Sequence, residues 1–180
     1  VLDGVFKVSP TKKVQFTKGN LYYDGSALNF EANQYAYNNS YESSHVSHFT
    51  WSSTAETAAG EGFIGDNLFC DESHKVAVNG REAIYYALSE DEWKYLFRVH
   101  DNKWATVNGV NGYVIAPYNF GGILADSYAD DEALADDNLI FLPAAGDRNS
   151  GRISSAGSVC LYWSSSADGK YLAYYVYIDS

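Results

Sequence analysis

LPAAGDRNSGRISSAGSVCLYWSSS, residues 142–166, is the stretch from which the rest of this chain is best interpreted. The apolar run Ile140–Leu142 at its start predicts a short strand that ends at Pro143. Tyr162 and Trp163 begin a second apolar stretch, and both rings are predicted to be buried. The residues in between are rich in glycine and serine, which predicts an ordered loop. Because binding residues are usually found on loops held by rigid neighbours, we expect binding residues here.

Length and composition indicate one globular domain with a substantial core. The chain has 180 residues, of which 46% are hydrophobic and 16% aromatic, including 16 tyrosines and 4 tryptophans. This composition argues against disorder, and no apolar run has the length of a membrane-spanning helix. The chain opens on Val1 and contains no methionine, so we expect a mature or excised domain whose targeting segment has been removed.

The charge balance argues against a nucleic-acid partner. The chain has 12 basic and 23 acidic residues, which give a formal net charge of −11 at pH 7. Neutralising phosphates requires clustered lysines and arginines, so nucleic acid and anionic membrane surfaces are both disfavoured. The simplest interpretation is that this negative charge serves to keep the domain soluble.

The two cysteines leave two alternatives open. Cys70 and Cys160 could form a disulfide in an oxidising compartment, or they could be two separate buried thiols. Their spacing does not decide between these alternatives, and the chain has no CxxC pair of the kind that binds metal.

The first third of the chain predicts strands, a short helix and a loop. Alternating apolar and polar residues over 4–23 predict a hairpin-like pair of strands. A short helix is predicted over 28–37, with one face formed by Phe30, Gln34 and Tyr37. The polar segment 38–65 predicts a loop that holds His45 and His48. Two histidines three positions apart could bind a metal, but the sequence has no third ligand at a spacing typical of metal sites. We therefore favour a pair of solvated histidines.

The clearest single element is a helix over 88–98, LSEDEWKYLFR. Ser89 and Glu92 match a capping box, and the acidic first turn suits the positive end of a helix. An apolar stripe at the spacing of a core-facing helix is formed by Leu88, Trp93, Leu96 and Phe97. We therefore interpret the carboxylates as capping groups and not as catalytic acids.

Strands and an acidic connection are predicted after this helix. Segment 103–116 predicts two strands joined by overlapping Asn-Gly turns, and YLAYYVYI at 171–178 predicts a final strand. Alternation along that strand places Tyr175 and Tyr177 on the same face. The acidic segment 121–138 could bind calcium, but it lacks the pattern of an EF-hand loop. A solvated, partly helical surface segment is the interpretation we favour.

Taken in order, these segments resemble one family along nearly the whole chain. The resemblance is carried by GVFKVS, KVQFTKGNLYY, FEANQYAY, LSEDEWKYLF, ATVNGVNGYVIAP, FLPAAGDRNSG, YWSSS and AYYVYI. The chain resembles the paralogous extracellular domain of gut Bacteroidetes and Fibrobacter proteins, which is similar to formylglycine-generating enzymes and to variable proteins of diversity-generating retroelements. The resemblance implies one α+β domain over residues 1–180 with a C-type lectin-like fold: a small twisted antiparallel sheet, two or so helices and long ordered loops. Trp163 would then be a core or loop-anchoring residue.

The resemblance also implies a ligand-binding face built by the segment from the LPAAG turn to the last strands. Carried over residue by residue, that face comprises Asp147, Arg148, Arg152, Val159, Cys160, Leu161, Asp168, Lys170, Tyr171 and Tyr177. Similar domains continue past the last strand, so we expect either a further loop and strand after Ser180 or another way of completing the sheet edge.

Departures from the family pattern suggest a hypothesis about how the sequence of this chain arose. Family members commonly have a tyrosine at position 147 and a Gly-Tyr pair at 160 and 161, where this chain has Asp147, Cys160 and Leu161. Together with Val159, these residue types can each arise from an asparagine codon by changes at adenines. A retroelement-diversified variable protein is therefore one hypothesis, and ordinary divergence is the explanation that we favour.

These observations predict a non-enzymatic module, extracellular or on the bacterial outer surface, that binds a host or microbial surface glycan or protein. Tyrosine and serine with a few charged residues are typical of adaptable binding surfaces, and aromatic rings also stack on sugars. We expect no cofactor, and calcium is an alternative without a supporting motif, since the Glu-Pro-Asn and Trp-Asn-Asp sequences of calcium-dependent lectins are missing. One alternative is a structural or pilus-like assembly domain. A formylglycine-generating enzyme is disfavoured, because neither cysteine lies in a matching sequence.

Overall fold

The computed structural model describes residues 1–40, 42, 44–49, 75–149, 151–168 and 172–180. Within these ranges the chain forms two helices, α1 (Glu90–Val99) and α2 (Asp131–Ala135). The strands are β1 (Phe6–Lys7), β2 (Lys13–Val14), β3 (Leu21–Tyr23), β4 (Leu28–Phe30), β5 (Lys75–Val78), β6 (Arg81–Ile84), β7 (Asn102–Val107), β8 (Val110–Ile115), β9 (Ser127–Tyr128), β10 (Ile140–Pro143), β11 (Asp147–Asn149), β12 (Arg152–Ser154), β13 (Val159–Asp168) and β14 (Leu172–Asp179).

A four-stranded sheet in the order β10-β8-β7-β9 occupies the centre of the fold. The strands are antiparallel except β9, which runs parallel to β7. Asn108 and Gly109 form the turn between β7 and β8, and both have a positive φ, 49° and 76°, as a type I′ turn requires. The second Asn-Gly pair, predicted to share this turn, lies inside β8. A Cβ on Gly112 would lie 2.4 Å from the carbonyl oxygen of Leu142, so glycine there lets β10 approach closely.

Alternation along the central sheet supplies two cores on its opposite faces. Val114 and Ile115 are consecutive residues of β8 and therefore point to opposite faces. Ile115 joins the core that α1 covers, with Phe6, Val8, Leu88, Trp93, Leu96, Ile140 and Leu142. Val114 joins the core that α2 covers, with Ala105, Val107, Ala116, Leu134, Leu139 and Phe141. Burial of these side chains is the main favourable contribution to folding.

Helix α1 confirms the predicted helix and its capping box. The Glu92 amide donates to the Ser89 hydroxyl over 3.2 Å, and the Ser89 amide donates to the Glu92 carboxylate over 2.9 Å. The hydroxyl of Ser166, in β13, accepts the Glu90 amide at 2.9 Å. Ser166 therefore provides a cap for α1 from a different element, and this hydrogen bond links β13 to the helix.

The helix predicted over 28–37 is wrong. Leu28–Phe30 forms β4, whose backbone pairs with β3. Gln34 is buried, and its side-chain oxygen accepts the Phe141 amide at 2.8 Å while its side-chain amide donates to the Leu139 carbonyl over 3.3 Å. Three residues at helical spacing are too few to establish a helical period. The conformation of this segment is set instead by the backbone pairing of β4 with β3 and by the hydrogen bonds of Gln34 to β10 and Leu139.

The observed architecture is mixed α+β, as the sequence predicts. The hairpin around Pro10 is confirmed as the short β1–β2 pair, whereas β3 pairs with β4. The acidic connection 121–138 is mostly exposed and contains the short helix α2, as expected. None of the described helices has both the length and the apolar character needed to cross a membrane.

Candidate ligand-binding surface

The pair of strands β13 and β14 presents exposed aromatic rings on one surface. Leu161 lies opposite Tyr177, and Trp163 lies opposite Tyr175. Directly opposed residues of an antiparallel pair point to the same face. These four residues, Leu161, Trp163, Tyr175 and Tyr177, are called the aromatic face below.

The reverse side of the same strands is anchored in the core. Cys160 lies opposite Ile178, and Tyr162 lies opposite Val176. Tyr162 and Val176 pack against the core beneath α1. The Tyr162 hydroxyl lies 3.2 Å from the carbonyl oxygen of Pro143, and burial raises the pKa of this phenol well above its usual value. The aromatic face therefore lies on strands whose opposite side packs against the core beneath α1.

The three rings of the aromatic face are exposed, and contacts within the fold hold two of them in place. Trp163 is 38% exposed, Tyr175 56% and Tyr177 57%, so the prediction that Trp163 is buried is wrong. Its predicted loop-anchoring role is confirmed, because its indole N–H donates to the carbonyl of Phe49 over 2.8 Å. Tyr175 meets Trp163 edge to face at 5.9 Å between ring centroids. The conformational freedom of Trp163 and Tyr175 is therefore already reduced before any ligand binds.

The two histidines that were expected to be solvated have protein partners instead. His48 is 9% exposed, and its Nε2 donates to the carbonyl of Ala145 over 2.7 Å, since a carbonyl oxygen only accepts. Burial lowers the pKa of His48, and the nearby Arg148 lowers it further. The His45 ring lies 2.6 Å from a carboxylate oxygen of Glu31.

His48 and Phe49 join two parts of the predicted site. His48 bonds to Ala145, just before β11, while Phe49 accepts the indole N–H of Trp163 in β13. Sequence reasoning missed this connection because 97 and 114 residues separate the partners. No local periodicity marks contacts at such a distance along the chain.

The predicted loop before β13 contains a small hairpin, β11–β12. Asp147 lies opposite Ser154, and the Ser154 hydroxyl donates to Asp147 Oδ1 over 2.6 Å. Arg148, opposite Ile153, is half-buried, whereas Arg152 is exposed. Of the two predicted basic residues on this hairpin, Arg152 is the more open to a ligand.

Two predicted site residues lie in the interior. Val159 is 8% exposed and Cys160 0%. The Cys160 thiol is free and donates to the carbonyl of Leu142 over 3.3 Å, which favours the separate-thiol alternative for this residue; Cys70 lies outside the described residues. Burial raises the pKa of the Cys160 thiol to about 12. This placement makes Val159 and Cys160 supports of the site and not its contact surface.

Leu161 and Tyr177 are predicted site residues that the structure brings side by side. Asp168 is exposed near the other end of the strand pair, and Lys170 and Tyr171 lie outside the described residues. Tyr175 was not among the predicted site residues. The alternation of the final strand had nevertheless placed it on the face of Tyr177, so a signal for it was present.

A groove of 340 Å³ lies between α1 and β14. Its lining includes Phe97 of α1, Tyr113 of β8, and Tyr174 and Tyr177 of β14. Tyr177 therefore borders both the groove and the aromatic face. Among the described strands β14 pairs only with β13, which leaves its second edge without a strand partner there.

The acidic connection uses two of its carboxylates for structure. Asp130 caps α2 by accepting the amides of Glu132 and Ala133 at 3.0 Å each. Asp131 accepts the backbone amide of Gln34 at 3.0 Å, and burial raises the pKa of Asp131. Across the part of the chain that the structure describes, no three His, Cys, Asp or Glu side chains are grouped to hold a metal ion.

The strand pair thus presents exposed aromatic rings and an adjoining groove, and a hairpin that carries the exposed Arg152 precedes β13 in the chain. No protein-family model matches this chain, and no curated protein or solved structure does so either.

Proposed function

We propose that this chain is a non-enzymatic, extracellular ligand-binding domain with a C-type lectin-like fold. Its ligand is a surface glycan or a protein, and the aromatic face is the centre of the contact. The α+β architecture and the resemblance of the sequence support the fold. The exposed rings on β13 and β14 support the site.

One observation carries this proposal: exposed rings lie together on one face of β13 and β14, and two of them, Trp163 and Tyr175, are held by contacts within the fold. Tyr175 and Tyr177 are both more than half exposed, and Trp163 is fixed by its bond to Phe49. Flat aromatic faces stack on sugar rings, and tyrosine supplies a large contact area on proteins at low entropic cost. Arg152, exposed on the neighbouring hairpin, adds a charged donor for an acidic or polar group.

The state of Cys160 favours binding over thiol chemistry. The nucleophilic form of cysteine is the thiolate, and a pKa of about 12 keeps this buried side chain a neutral thiol. The burial of Val159 and Cys160 also lends no support to diversification at these two positions, because a diversified residue acts by meeting the ligand.

The proposal is tested on a broad glycan array, in calcium and in chelator, with the purified wild-type chain and a Tyr175→Ala variant. Tyr118→Ala is the matched control, because Tyr118 is 41% exposed and lies outside β13 and β14. We expect specific binding that Tyr175→Ala loses and Tyr118→Ala keeps. Binding that Tyr175→Ala retains in full would contradict the proposed site, and a blank array would restrict the ligand to proteins.

The second candidate function is assembly, and the edge of β14 favours it. A long edge strand with unpaired backbone groups is a template for pairing with another chain. A Tyr174→Lys variant places a charge on this strand, and sedimentation velocity compares its association state with that of the wild-type chain. Concentration-dependent self-association that the lysine abolishes would favour assembly, and a monomeric wild-type chain would count against it.

A further inference from the structure

The chain contains three Asn-Gly pairs, at 79–80, 108–109 and 111–112, and the fold treats them differently. In such a pair the asparagine side chain can close a succinimide ring with the next backbone nitrogen, because glycine places no Cβ in the way. Hydrolysis of the ring then leaves aspartate or isoaspartate. Ring closure requires a side chain that can rotate and a glycine nitrogen that can be approached, so the structure decides which pair reacts.

Asn108 and Gly109 form the exposed turn between β7 and β8. Within the described residues, the Asn108 side chain has no hydrogen-bond partner and the Gly109 amide donates no hydrogen bond. Apart from the chain neighbours, no heavy atom lies within 4 Å of the position that a Cβ on Gly109 would take. Both groups that must react are therefore accessible.

The pair that follows three residues later is held inside the central sheet. Gly112 lies opposite Ala105 of β7 and Pro143 of β10. The side-chain amide of Asn111 donates to the carbonyl of Gly157 over 2.8 Å. Ring closure here requires β8 to separate from a neighbouring strand, so Asn111 reacts only from a locally opened state.

Asn79 and Gly80 are an intermediate case. They form the exposed turn between β5 and β6, with positive φ values of 53° and 68°. The side-chain oxygen of Asn79 accepts the backbone amide of Phe30 at 2.9 Å. This bond restricts the rotation that ring closure needs, which the Asn108 side chain does not experience.

We propose that Asn108 is a site of spontaneous covalent modification, at which a succinimide forms and is hydrolysed to aspartate and isoaspartate. The Gly109 nitrogen bonds to the side-chain carbonyl carbon of Asn108, the bond from that carbon to the amide nitrogen breaks, and ammonia leaves with the proton of the Gly109 amide. Water then adds to either ring carbonyl, and the ring carbon–nitrogen bond at that carbonyl breaks to give a carboxylic acid. The site is independent of the ligand-binding function proposed above.

The isoaspartyl product should loosen the edge of the central sheet. It carries the backbone through the former side chain and adds a methylene carbon to a turn that type I′ geometry limits to two residues. Two backbone bonds hold β9 beside this turn: the Thr106 amide donates to Asp126 over 3.0 Å, and the Asn108 amide donates to Tyr128 over 3.1 Å. A lengthened turn displaces the second donor and weakens the attachment of β9.

The experiment incubates the wild-type protein at mildly alkaline pH in water enriched in the heavy oxygen isotope, once in native buffer and once in guanidinium chloride. Mass spectrometry of the digested protein detects the oxygen label in each new carboxyl group, and fragment ions assign it to one asparagine and distinguish isoaspartate from aspartate. The label excludes conversion during digestion. The unfolded protein is the matched control, because it keeps the sequence and removes the fold.

We expect Asn108 in the native protein to be converted at least about tenfold faster than Asn111, which reacts only after local opening, with Asn79 in between. In guanidinium chloride the three pairs should react at comparable rates. A native Asn108 that reacts no faster than Asn111 would overturn the proposed site. Deuterium exchange at the Thr106 amide should be faster in the isoaspartyl form than in unconverted protein, and unchanged exchange would overturn the loosening of β9.

Discussion

The side chain of Cys160 lies fully inside the fold, with its thiol bonded to the carbonyl of Leu142. Burial raises its pKa to about 12, so almost no thiolate is present at about pH 8. We predict that a Cys70→Ser variant does not react with Ellman's reagent in the native state and exposes one thiol per chain when unfolded. Rapid reaction of the native variant would contradict this burial.

His48 predicts a dependence of stability on pH. Its folded pKa is lowered from 6.5, chiefly by burial, so below that pH the unfolded chain binds more protons than the folded chain. The free energy of unfolding in urea should therefore fall as the pH is lowered from about 7.5 to about 5.5. A His48→Gln variant should show a smaller fall. An unchanged slope in that variant would show that His48 does not titrate in this way.

Gln34 shows how one buried amide can connect two distant segments. Replacing it with leucine leaves the amide of Phe141 and the carbonyl of Leu139 without their partner. We predict that Gln34→Leu lowers the free energy of unfolding by about 2–4 kcal/mol, measured by urea denaturation. The control is Gln15→Leu, an exposed glutamine whose change should stay within about 0.5 kcal/mol. Equal effects of the two variants would refute the role of Gln34.

At the scale of single elements, the start of α1 gives the sharpest prediction. Removing the Ser89 hydroxyl leaves the Glu92 amide without its cap. Ser89→Ala should cost about 1 kcal/mol of unfolding free energy. Ser166→Ala should also destabilise the protein, because its hydroxyl accepts the Glu90 amide from β13. If Ser166→Ala has no effect in urea denaturation, the proposed attachment of β13 to the helix is wrong.

Elements with strong local signals were predictable from the sequence, and those that depend on distant partners were not. The capping box identified α1, and an Asn-Gly turn between alternating runs identified β7 and β8. By contrast, β4 was mistaken for a helix because its pairing with β3 has no local signature. The β11–β12 hairpin was missed because each of its strands has only three residues.

The candidate site is likewise only partly readable from the sequence. Alternation in the final strand grouped Tyr175 with Tyr177, and the register of β13 and β14 then adds Leu161 and Trp163. The role of His48 and Phe49 depends on contacts about a hundred residues away, which a single sequence does not encode in any local pattern.

At the scale of the whole molecule, one of the two cores supports the strand pair that carries the aromatic face. The core beneath α1 holds Tyr162 and Val176 and thereby positions the outward surface of β13 and β14. The net charge of −11 favours solubility in a chain that exposes aromatic rings. If the proposed function is right, the side chains of Trp163 and Tyr175 do not have to be ordered when a ligand binds.

The most direct test of the central claim compares Tyr177→Ala, Tyr177→Phe and the wild-type chain for binding to the same glycan array. Tyr177 borders both the aromatic face and the groove and is 57% exposed. If the ring makes the contact, Tyr177→Ala should lose about tenfold or more in affinity while Tyr177→Phe retains most of the binding. Binding by Tyr177→Ala at the wild-type level would contradict the claim that ligands are held at the aromatic face.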